Sequence, residues 1–145
     1  MNRPFDRWAA GDAYDTFMGR WSRRVADHFL KWLAPMPHAH WLEVGCGTGA
    51  LTAAVCQHAE PASLVACDPS PEFVSFARKS ITDSSVTFLI SDVDDLPRRE
   101  GGFDIIVSGL VLNFLPQPSD AVRSMRERIR QGGVVAAYVW DYAEG

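Results

Sequence analysis

The sequence has few cysteines, and their spacing excludes the common uses of this residue. Cys46, Cys56 and Cys67 stand about ten residues apart, without a C-x-x-C pair and without a histidine at zinc-ligand spacing. Neither a structural metal site nor a disulfide framework fits this pattern. We therefore expect no bound metal and a protein that resides in the reducing cytoplasm.

A long apolar run is also absent. Arg3, Asp6, Arg7 and Asp12 occupy the region where a secretory signal would have its apolar core. The longest nearly uncharged apolar stretch, residues 105–115, is too short to cross a bilayer. We expect a soluble chain that does not enter the membrane.

An excess of positive charge is absent as well. The net charge is −4 and the isoelectric point is about 5.5, whereas non-specific binding to nucleic acid or to an anionic membrane requires a broad cationic field. Arg123, Arg126, Arg128 and Arg130 form a basic cluster, but their spacing scatters them around the helix predicted from Ser119. We expect neither nucleic acid nor a membrane as a partner.

What the sequence does contain begins with an amphipathic helix. With 145 residues and 47% apolar content, the chain is long enough for one core and too short for two. Trp21, Val25, Phe29, Trp32 and Leu33 recur at three- and four-residue steps, which predicts a helix with one buried face.

Five short apolar runs then predict the strands of a parallel sheet covered by helices. These runs are Trp41 to Val44, Leu64 to Cys67, Val86 to Ile90, Phe103 to Ser108 and Val134 to Val139. Ser70-Pro71-Glu72 is a typical helix start, and Gly132-Gly133 is predicted to end a helix that runs from about Ser119 to Gln131.

The first predicted strand ends in a glycine-rich turn. Gly45, Gly47 and Gly49 separate it from the helix-forming stretch Ala50 to His58. Such a junction directs backbone N–H groups and the positive end of a helix dipole toward a ligand above it. The pattern predicts a site for a nucleotide-like or carboxylate-bearing ligand, although glycines also serve tight packing.

Acids follow the next two strands at the same edge of the predicted sheet. Asp68 comes nineteen residues after Gly49, where a carboxylate can accept hydrogen bonds from ribose hydroxyls. Asp92 follows the third strand, and Val93 beside it is suited to the face of a purine. A helix cap for Asp68 and a solvated loop acid for Asp92 are the alternatives. Taken together, the turn and the two acids indicate a nucleoside cofactor.

The segment 42–49, Leu-Glu-Val-Gly-Cys-Gly-Thr-Gly, resembles the first motif of class I S-adenosylmethionine-dependent methyltransferases. Later segments are similar to that family in order: 65–68 resembles its ribose-binding acid, 91–93 its adenine-binding loop, 103–108 its fourth strand and 132–135 the entry to its fifth. The resemblance covers roughly residues 38–140. It implies an α/β fold, a Rossmann-like three-layer sandwich with parallel strand order 3-2-1-4-5, from which the family's C-terminal strands 6 and 7 are missing.

The same resemblance implies S-adenosylmethionine as the cofactor and divides the chain into an N-terminal helical segment, residues 1–36, that covers the cofactor site and a Rossmann-like binding domain, residues 37–145. The implied cofactor-binding residues are Tyr14, Arg20, Glu43, Gly45, Cys46, Gly47, Gly49, Asp68, Pro69, Asp92, Val93 and Ser108. Arg20 is placed to meet the carboxylate of the cofactor, and Asn113 is the candidate near the transferred methyl group. Surface or capping roles remain open for Tyr14, Arg20 and Asn113.

The function implied by the resemblance is methyl transfer to a small-molecule acceptor by in-line displacement. This reaction needs alignment and exclusion of water more than it needs a catalytic base. No base stands out, because the four histidines lie outside the predicted strand-edge loops. The Asn-Pro-Pro-Tyr type tetrad of amino-group DNA and protein methyltransferases is missing, which weakens the case for those substrates.

Two other functions stay open at this point. Gly45, Gly47 and Ala50 also satisfy the loose G-x-G-x-x-G/A pattern of NAD-type oxidoreductases, although Glu43 inside the first strand argues against it. A non-catalytic or truncated cofactor-binding domain is the second alternative, because the sequence ends at Gly145 where the family's sheet usually continues. A homodimer in which a partner chain covers the edge of the fifth strand would also fit.

Overall fold

A computed structural model describes residues 11–141 of the chain, with side chains from residue 20 onward. The helices are α1 (Gly11–Leu33), α2 (Ala50–His58), α3 (Pro71–Ser80) and α4 (Pro118–Arg126). The strands are β1 (His40–Val44), β2 (Ser63–Asp68), β3 (Val86–Ile90), β4 (Phe103–Gly109) and β5 (Ile129–Tyr138). Two short 3₁₀ turns, Val93–Asp95 and Leu112–Phe114, follow β3 and β4.

The five strands form one parallel sheet in the order β3-β2-β1-β4-β5, as expected from the sequence. The register places Trp41 of β1 beside Leu64 of β2 on one side and Ile105 of β4 on the other. From β1 the chain adds β2 and β3 on one side of the sheet and then returns to add β4 and β5 on the other side of β1, so the strand order reverses between β1 and β4. In open parallel sheets, ligands bind outside the carboxyl ends of the strands at this reversal point.

Helices cover both faces of the sheet and enclose its core. On one face, Phe29 of α1 and Val55 of α2 pack around the buried Trp41. On the other face, Met125 of α4 packs with Ile106 of β4. The Rossmann-like three-layer arrangement is therefore confirmed, and it leaves the strand ends free to form a site.

The C-terminal helix is shorter than predicted, and the two glycines after it do not end a helix. α4 ends at Arg126, and both Gly132 and Gly133 lie inside β5. Gly132 has a φ of 80°, and a Cβ on Gly133 would lie 2.9 Å from the carbonyl oxygen of Asp104. The pairing of β5 with β4 also shifts register between Phe103 and Ile105. The glycines therefore serve a bulge-like irregularity in the strand, where the backbones approach closely.

The predicted placement of two arginines on the surface of that helix is also wrong. Arg128 is buried, and its guanidinium donates to the carbonyl oxygens of Leu96 and Ser124 at 3.1 and 3.0 Å. Arg130 donates to Asp104, whose other carboxylate oxygen accepts the backbone N–H of His40 at 2.7 Å. These bonds hold the pKa of Asp104 below its ordinary value, the His40 N–H contributing most. Both arginines thus stabilise the sheet region rather than a solvated helix face.

Candidate functional site

The turn between β1 and α2 has a backbone conformation that favours glycine. The φ values of Gly45, Gly47 and Gly49 are 77°, 54° and 99°, in the left-handed region where a side chain causes strain. A Cβ on Gly45 would lie 2.5 Å from a methyl carbon of Val111, whereas a Cβ on Gly47 would meet nothing within 4 Å. The turn is therefore closed over Gly45 by the segment after β4 and open over Gly47, where a ligand can approach the backbone.

Most N–H groups of this turn are used within the protein, which corrects the expectation that they face a ligand. Gly45 and Cys46 both donate to the carbonyl oxygen of Cys67, at 2.8 and 2.9 Å, and Gly49 donates to that of Cys46 at 2.9 Å. The two bonds to Cys67 join the turn to β2 and fix the shape of the turn. The donors left for a ligand are the first N–H groups of α2, which a helix cannot satisfy internally. Its N-cap, Gly49, has no side chain to do so.

Asp68 ends β2 and holds the glycine turn in place. Its Oδ2 accepts the N–H of Gly47 at 2.9 Å, and its Oδ1 accepts the N–H of Ser70 at 2.9 Å. Burial raises the pKa of Asp68, and the two N–H groups act in the opposite direction. An ionised carboxylate has about four acceptor positions, so this one can still accept hydrogen bonds from a ligand while it fixes the turn.

Glu43 lies on β1 beneath the turn and faces α2. Its side chain is only 1% exposed, and its Oε1 accepts the hydroxyl of Thr52 at 2.5 Å. Burial raises the pKa of Glu43 to about 7; the Thr52 hydroxyl lowers it, and the nearby Asp68 charge raises it. A side chain so buried supports the start of α2 rather than touching a ligand. The sequence analysis did not identify Thr52, although a charged residue inside an apolar strand implies a hydrogen-bonding partner.

Asp92 and Val93 follow β3 at the same edge of the sheet. Asp92 is exposed, and its Oδ1 accepts the N–H of Asp94 at 3.4 Å, so it caps the 3₁₀ turn that follows. Val93 is half-buried against the core of the α4 face, and its carbonyl oxygen accepts the Ser124 hydroxyl at 2.9 Å. This segment therefore presents a solvent-facing carboxylate beside an anchored apolar side chain.

β4 brings a buried hydroxyl group to this edge. Ser108 is fully buried, and its Oγ has no hydrogen-bond partner among the described residues. A buried polar group left unsatisfied costs about 1–3 kcal/mol, so a buried water molecule bound to this hydroxyl would stabilise it. Asn113 lies half-buried in the second 3₁₀ turn. Together with Val111, which the sequence analysis also missed, the segment after β4 forms one wall of the site.

The remaining candidate cofactor-binding residues differ in whether their side chains are buried or exposed. Cys46 is buried in the turn, and burial raises the pKa of its thiol far above the ordinary value, so it is no nucleophile. Pro69 is exposed next to Asp68, and Arg20 is exposed on α1. Tyr14 belongs to α1, but its side chain lies outside the described residues.

Among the described residues, the histidines lie away from this edge. His38 and His40 stand at the amino end of β1, and His58 ends α2. In the part of the chain that the structure describes, no three His, Cys, Asp or Glu side chains lie close enough together to hold a metal ion. Within residues 11–141, no helix combines the length and apolar character needed to cross a membrane.

Known proteins resemble this chain in sequence. It is 34% identical over 133 residues to the malonyl-[acyl-carrier protein] O-methyltransferase of Herminiimonas arsenicoxydans, a match that covers 92% of this chain and 48% of that protein. It is 32% identical over 103 residues to the ubiquinone biosynthesis O-methyltransferase of Xanthomonas campestris, covering 69% and 42% of the two chains. The chain thus spans about half the length of the curated relatives it matches.

Solved structures share its fold. A chain of the Haloferax volcanii complex between the Trm112 methyltransferase activator and a methyltransferase superposes with a TM-score of 0.84 at 24% identity, covering 96% of this chain and 61% of that one. The model of a family described as "Methyltransferase domain" matches residues 42–137, a range that includes the glycine turn, both acids and Ser108. The chain therefore belongs to the methyltransferase domain family, whose implied cofactor is S-adenosylmethionine.

Proposed function

We propose that this chain transfers a methyl group from S-adenosylmethionine to a small-molecule acceptor by in-line displacement. One observation carries the proposal: a single sheet edge combines the open position over Gly47, the carboxylate of Asp68 and the exposed carboxylate of Asp92. A nucleoside ligand that also bears a carboxylate can use all three features.

The residues at this edge fit the cofactor in their chemistry. Asp68 retains acceptor positions for the ribose hydroxyls, Asp92 offers an exposed acceptor for the adenine amino group, and Val93 offers an apolar surface for the ring. The N-terminus of α2, with its dipole and unsatisfied N–H groups, suits the carboxylate of the cofactor. We propose Arg20 as a second partner for that carboxylate.

The work left to the protein is alignment and exclusion of water. When bound, S-adenosylmethionine supplies a methyl group that is already activated by a sulfonium. We propose that Asn113 lies beside the acceptor and helps to orient it. Val111, whose methyl groups cover Gly45, closes that side of the turn to solvent. Alignment of this kind can supply a large part of the acceleration.

We further propose that the acceptor atom is a carboxylate oxygen, on a malonyl group carried as a thioester. Histidine is the side chain most often used as a general base, yet all four histidines lie away from the site edge. A carboxylate with a pKa of about 4 is ionised at neutral pH and needs no base, whereas a phenol with a pKa of about 10 does. The malonyl-[acyl-carrier protein] named for the Herminiimonas relative is an acceptor of this class.

Labelled S-adenosylmethionine tests this acceptor directly. We expect label in malonyl-[acyl-carrier protein] as a base-labile methyl ester, and no label in a catechol offered under the same conditions. Asn113→Ala is expected to lower kcat for the malonyl acceptor while the affinity for S-adenosylhomocysteine stays the same. Methylation of the catechol alone would contradict the carboxylate assignment. Tight cofactor binding without transfer to either acceptor would favour a non-catalytic domain.

The proposal also covers the role of the N-terminal segment, the cellular location and the oligomeric state. We propose that residues 1–36, with Tyr14 and Arg20, cover the methionine end of the cofactor and that the protein acts in the cytoplasm. We also propose a homodimer through β5, because Val134, Val135 and Val139 are exposed on or beside this outermost strand and an open strand edge favours pairing. Light scattering that shows only monomers at micromolar concentration would contradict the dimer.

A further inference from the structure

One face of α1 carries basic and aromatic side chains into solvent. Trp21, Arg24, His28 and Lys31 follow one another at steps of three or four residues, Trp32 lies four residues after His28, and all five are exposed; we call these five residues the basic helix face. Trp21 is 59% and Trp32 73% exposed, and the Arg24 guanidinium lies 5.9 Å from the centroid of the Trp21 ring. Tryptophan and arginine are the residue types that most often dominate binding energy at protein interfaces.

Positive side chains outnumber acids on this face among the described residues. Among the described residues, neither Arg24 nor Lys31 forms an ion pair with a carboxylate. The single acid between residues 20 and 33 is Asp27, whose Oδ1 lies 3.5 Å from Nε2 of His58 on α2. The whole chain carries a net charge of −4. The basic helix face is therefore a local positive field on an acidic protein, complementary to a negatively charged partner.

The opposite side of α1 belongs to the core, which argues against a lipid surface as that partner. Ala26, Phe29 and Leu30 are buried against α2 and the sheet. A helix that binds a membrane interface inserts a continuous apolar face into lipid, and between residues 20 and 33 the apolar face of α1 is packed against the core. The ring of Trp32 packs at 5.9 Å from that of Phe29, so its position is set by the core. A fixed, charged surface of this kind suits a folded acidic protein.

The first turns of α1 lie nearer the cofactor edge of the sheet than its last turn does. Its last turn and the last turn of α2 line a common cavity, which includes Leu30, Lys31 and His58. α1 and α2 therefore both run from the carboxyl edge of the sheet toward its amino edge. Trp21 and Arg24 lie nearer the cofactor edge than Lys31 and Trp32, so a partner bound along this face would have one end close to the site.

We propose that the basic helix face is the docking surface for an acyl-carrier protein, a small acidic protein that carries an acyl group as a thioester. This inference rests on the proposed function, in which the malonyl acceptor is held on such a carrier. Arg24 and Lys31 pair with carboxylates of the carrier, and Trp21 and Trp32 contribute the apolar anchors. Docking along α1 brings the acyl group toward the edge formed by Asp68 and Asn113.

Charge reversal on the face tests the inference. The double variant Arg24→Glu/Lys31→Glu is expected to bind malonyl-[acyl-carrier protein] at least tenfold more weakly and to raise KM for it by a similar factor. Its rate with a short malonyl thioester that lacks the carrier protein should equal that of the wild type. The matched control is Lys79→Glu/Arg126→Glu, which makes the same charge change at two exposed residues of α3 and α4 and should leave carrier binding unchanged.

The outcomes separate this inference from the function on which it rests. Equal carrier binding by the wild type and the Arg24→Glu/Lys31→Glu variant would overturn the docking surface, whatever the activity. Equal weakening in the control pair would overturn it too, since the effect would then be one of net charge. Binding of the wild type to anionic phosphatidylglycerol vesicles but not to the carrier would replace the protein partner with a lipid surface. Carrier binding that depends on Arg24 and Lys31 without methyl transfer to either malonyl thioester would retain the docking surface and refute the proposed reaction.

Discussion

Asp68→Ala is expected to lower the affinity for S-adenosylhomocysteine by roughly ten- to a hundredfold and to destabilise the protein at the same time. The carboxylate accepts the backbone N–H groups of Gly47 and Ser70, and we propose that it also accepts ribose hydroxyls. Its removal leaves both N–H groups without their acceptor; because Gly47 and Ser70 are only part-buried and water can replace it in part, we expect a cost below the roughly 1–3 kcal/mol of a fully buried group. Isothermal titration measures the affinity, and urea denaturation measures the free energy of unfolding.

Two further variants make the result specific. Asp68→Asn keeps one acceptor oxygen but directs an amide N–H₂ at one of its two donors, so it should fall between the wild type and Asp68→Ala in both measurements. Glu100→Ala removes an exposed carboxylate in the loop before β4, at the far end of the sheet, and should change neither. If Asp68→Ala unfolds at lower urea concentration yet binds S-adenosylhomocysteine with wild-type affinity, Asp68 is a structural residue and not a ligand-binding one.

Glu43→Gln is expected to stabilise the protein at alkaline pH. The pKa of Glu43 is raised to about 7 from its ordinary 4.5, mainly by burial. The folded state then holds this proton more tightly than the unfolded state does, so the contribution of Glu43 to stability falls as pH rises from about 4.5 to about 7. Glutamine keeps an acceptor for the Thr52 hydroxyl but carries no charge. The advantage of the variant should therefore grow by about 2–3 kcal/mol between pH 5 and pH 8.

The matched experiment compares unfolding free energies of the wild type, Glu43→Gln and Thr52→Val at both pH values. Thr52 donates to the carboxylate and lowers its pKa, so Thr52→Val should raise the pKa of Glu43 further. The free energy of unfolding should then fall by more between pH 5 and pH 8 than in the wild type, whereas in Glu43→Gln it should fall by less. A difference between Glu43→Gln and the wild type that stays constant from pH 5 to pH 8 would show that Glu43 does not titrate in this range.

The strands and the glycine turn could be predicted from local sequence signals, whereas the strand order came from the resemblance to a known family. The apolar strands, the glycine turn at Gly45 to Gly49 and the acids after two strands each report a local requirement of this fold. The secondary structure at Gly132 and Gly133 could not be predicted in the same way, because glycine pairs are typical both of helix ends and of strand irregularities. What decides between these uses is the close approach of Asp104 to Gly133, a contact between segments distant in sequence.

Contacts between distant segments also explain why the sequence analysis missed Val111 and Thr52 in the site. The contact of Val111 with Gly45 and the hydrogen bond of Thr52 to Glu43 both depend on how elements pack. The internal use of the turn N–H groups depends on the position of β2, because Cys67 and Asp68 supply the acceptors. Most N–H groups of the turn are thus bonded within the protein, and we propose that its open side over Gly47 faces the cofactor.

Family membership narrows the function without fixing the acceptor. The match over residues 42–137 establishes the methyltransferase domain family, and the comparisons give no support to the NAD-type alternative. One fold hosts many reactions, so the acceptor has to be argued from the site. Our proposal of an ionised acyl acceptor rests on the position of the described histidines away from the site edge.

The most direct test of the account is titration of the purified wild-type protein with S-adenosylhomocysteine, with NADH as the comparison ligand. We expect one-to-one binding of S-adenosylhomocysteine with a micromolar Kd and no measurable heat with NADH. Binding of NADH alone would contradict a methyl-donor site at the edge formed by Gly47, Asp68 and Asp92, as would a folded protein that binds neither ligand.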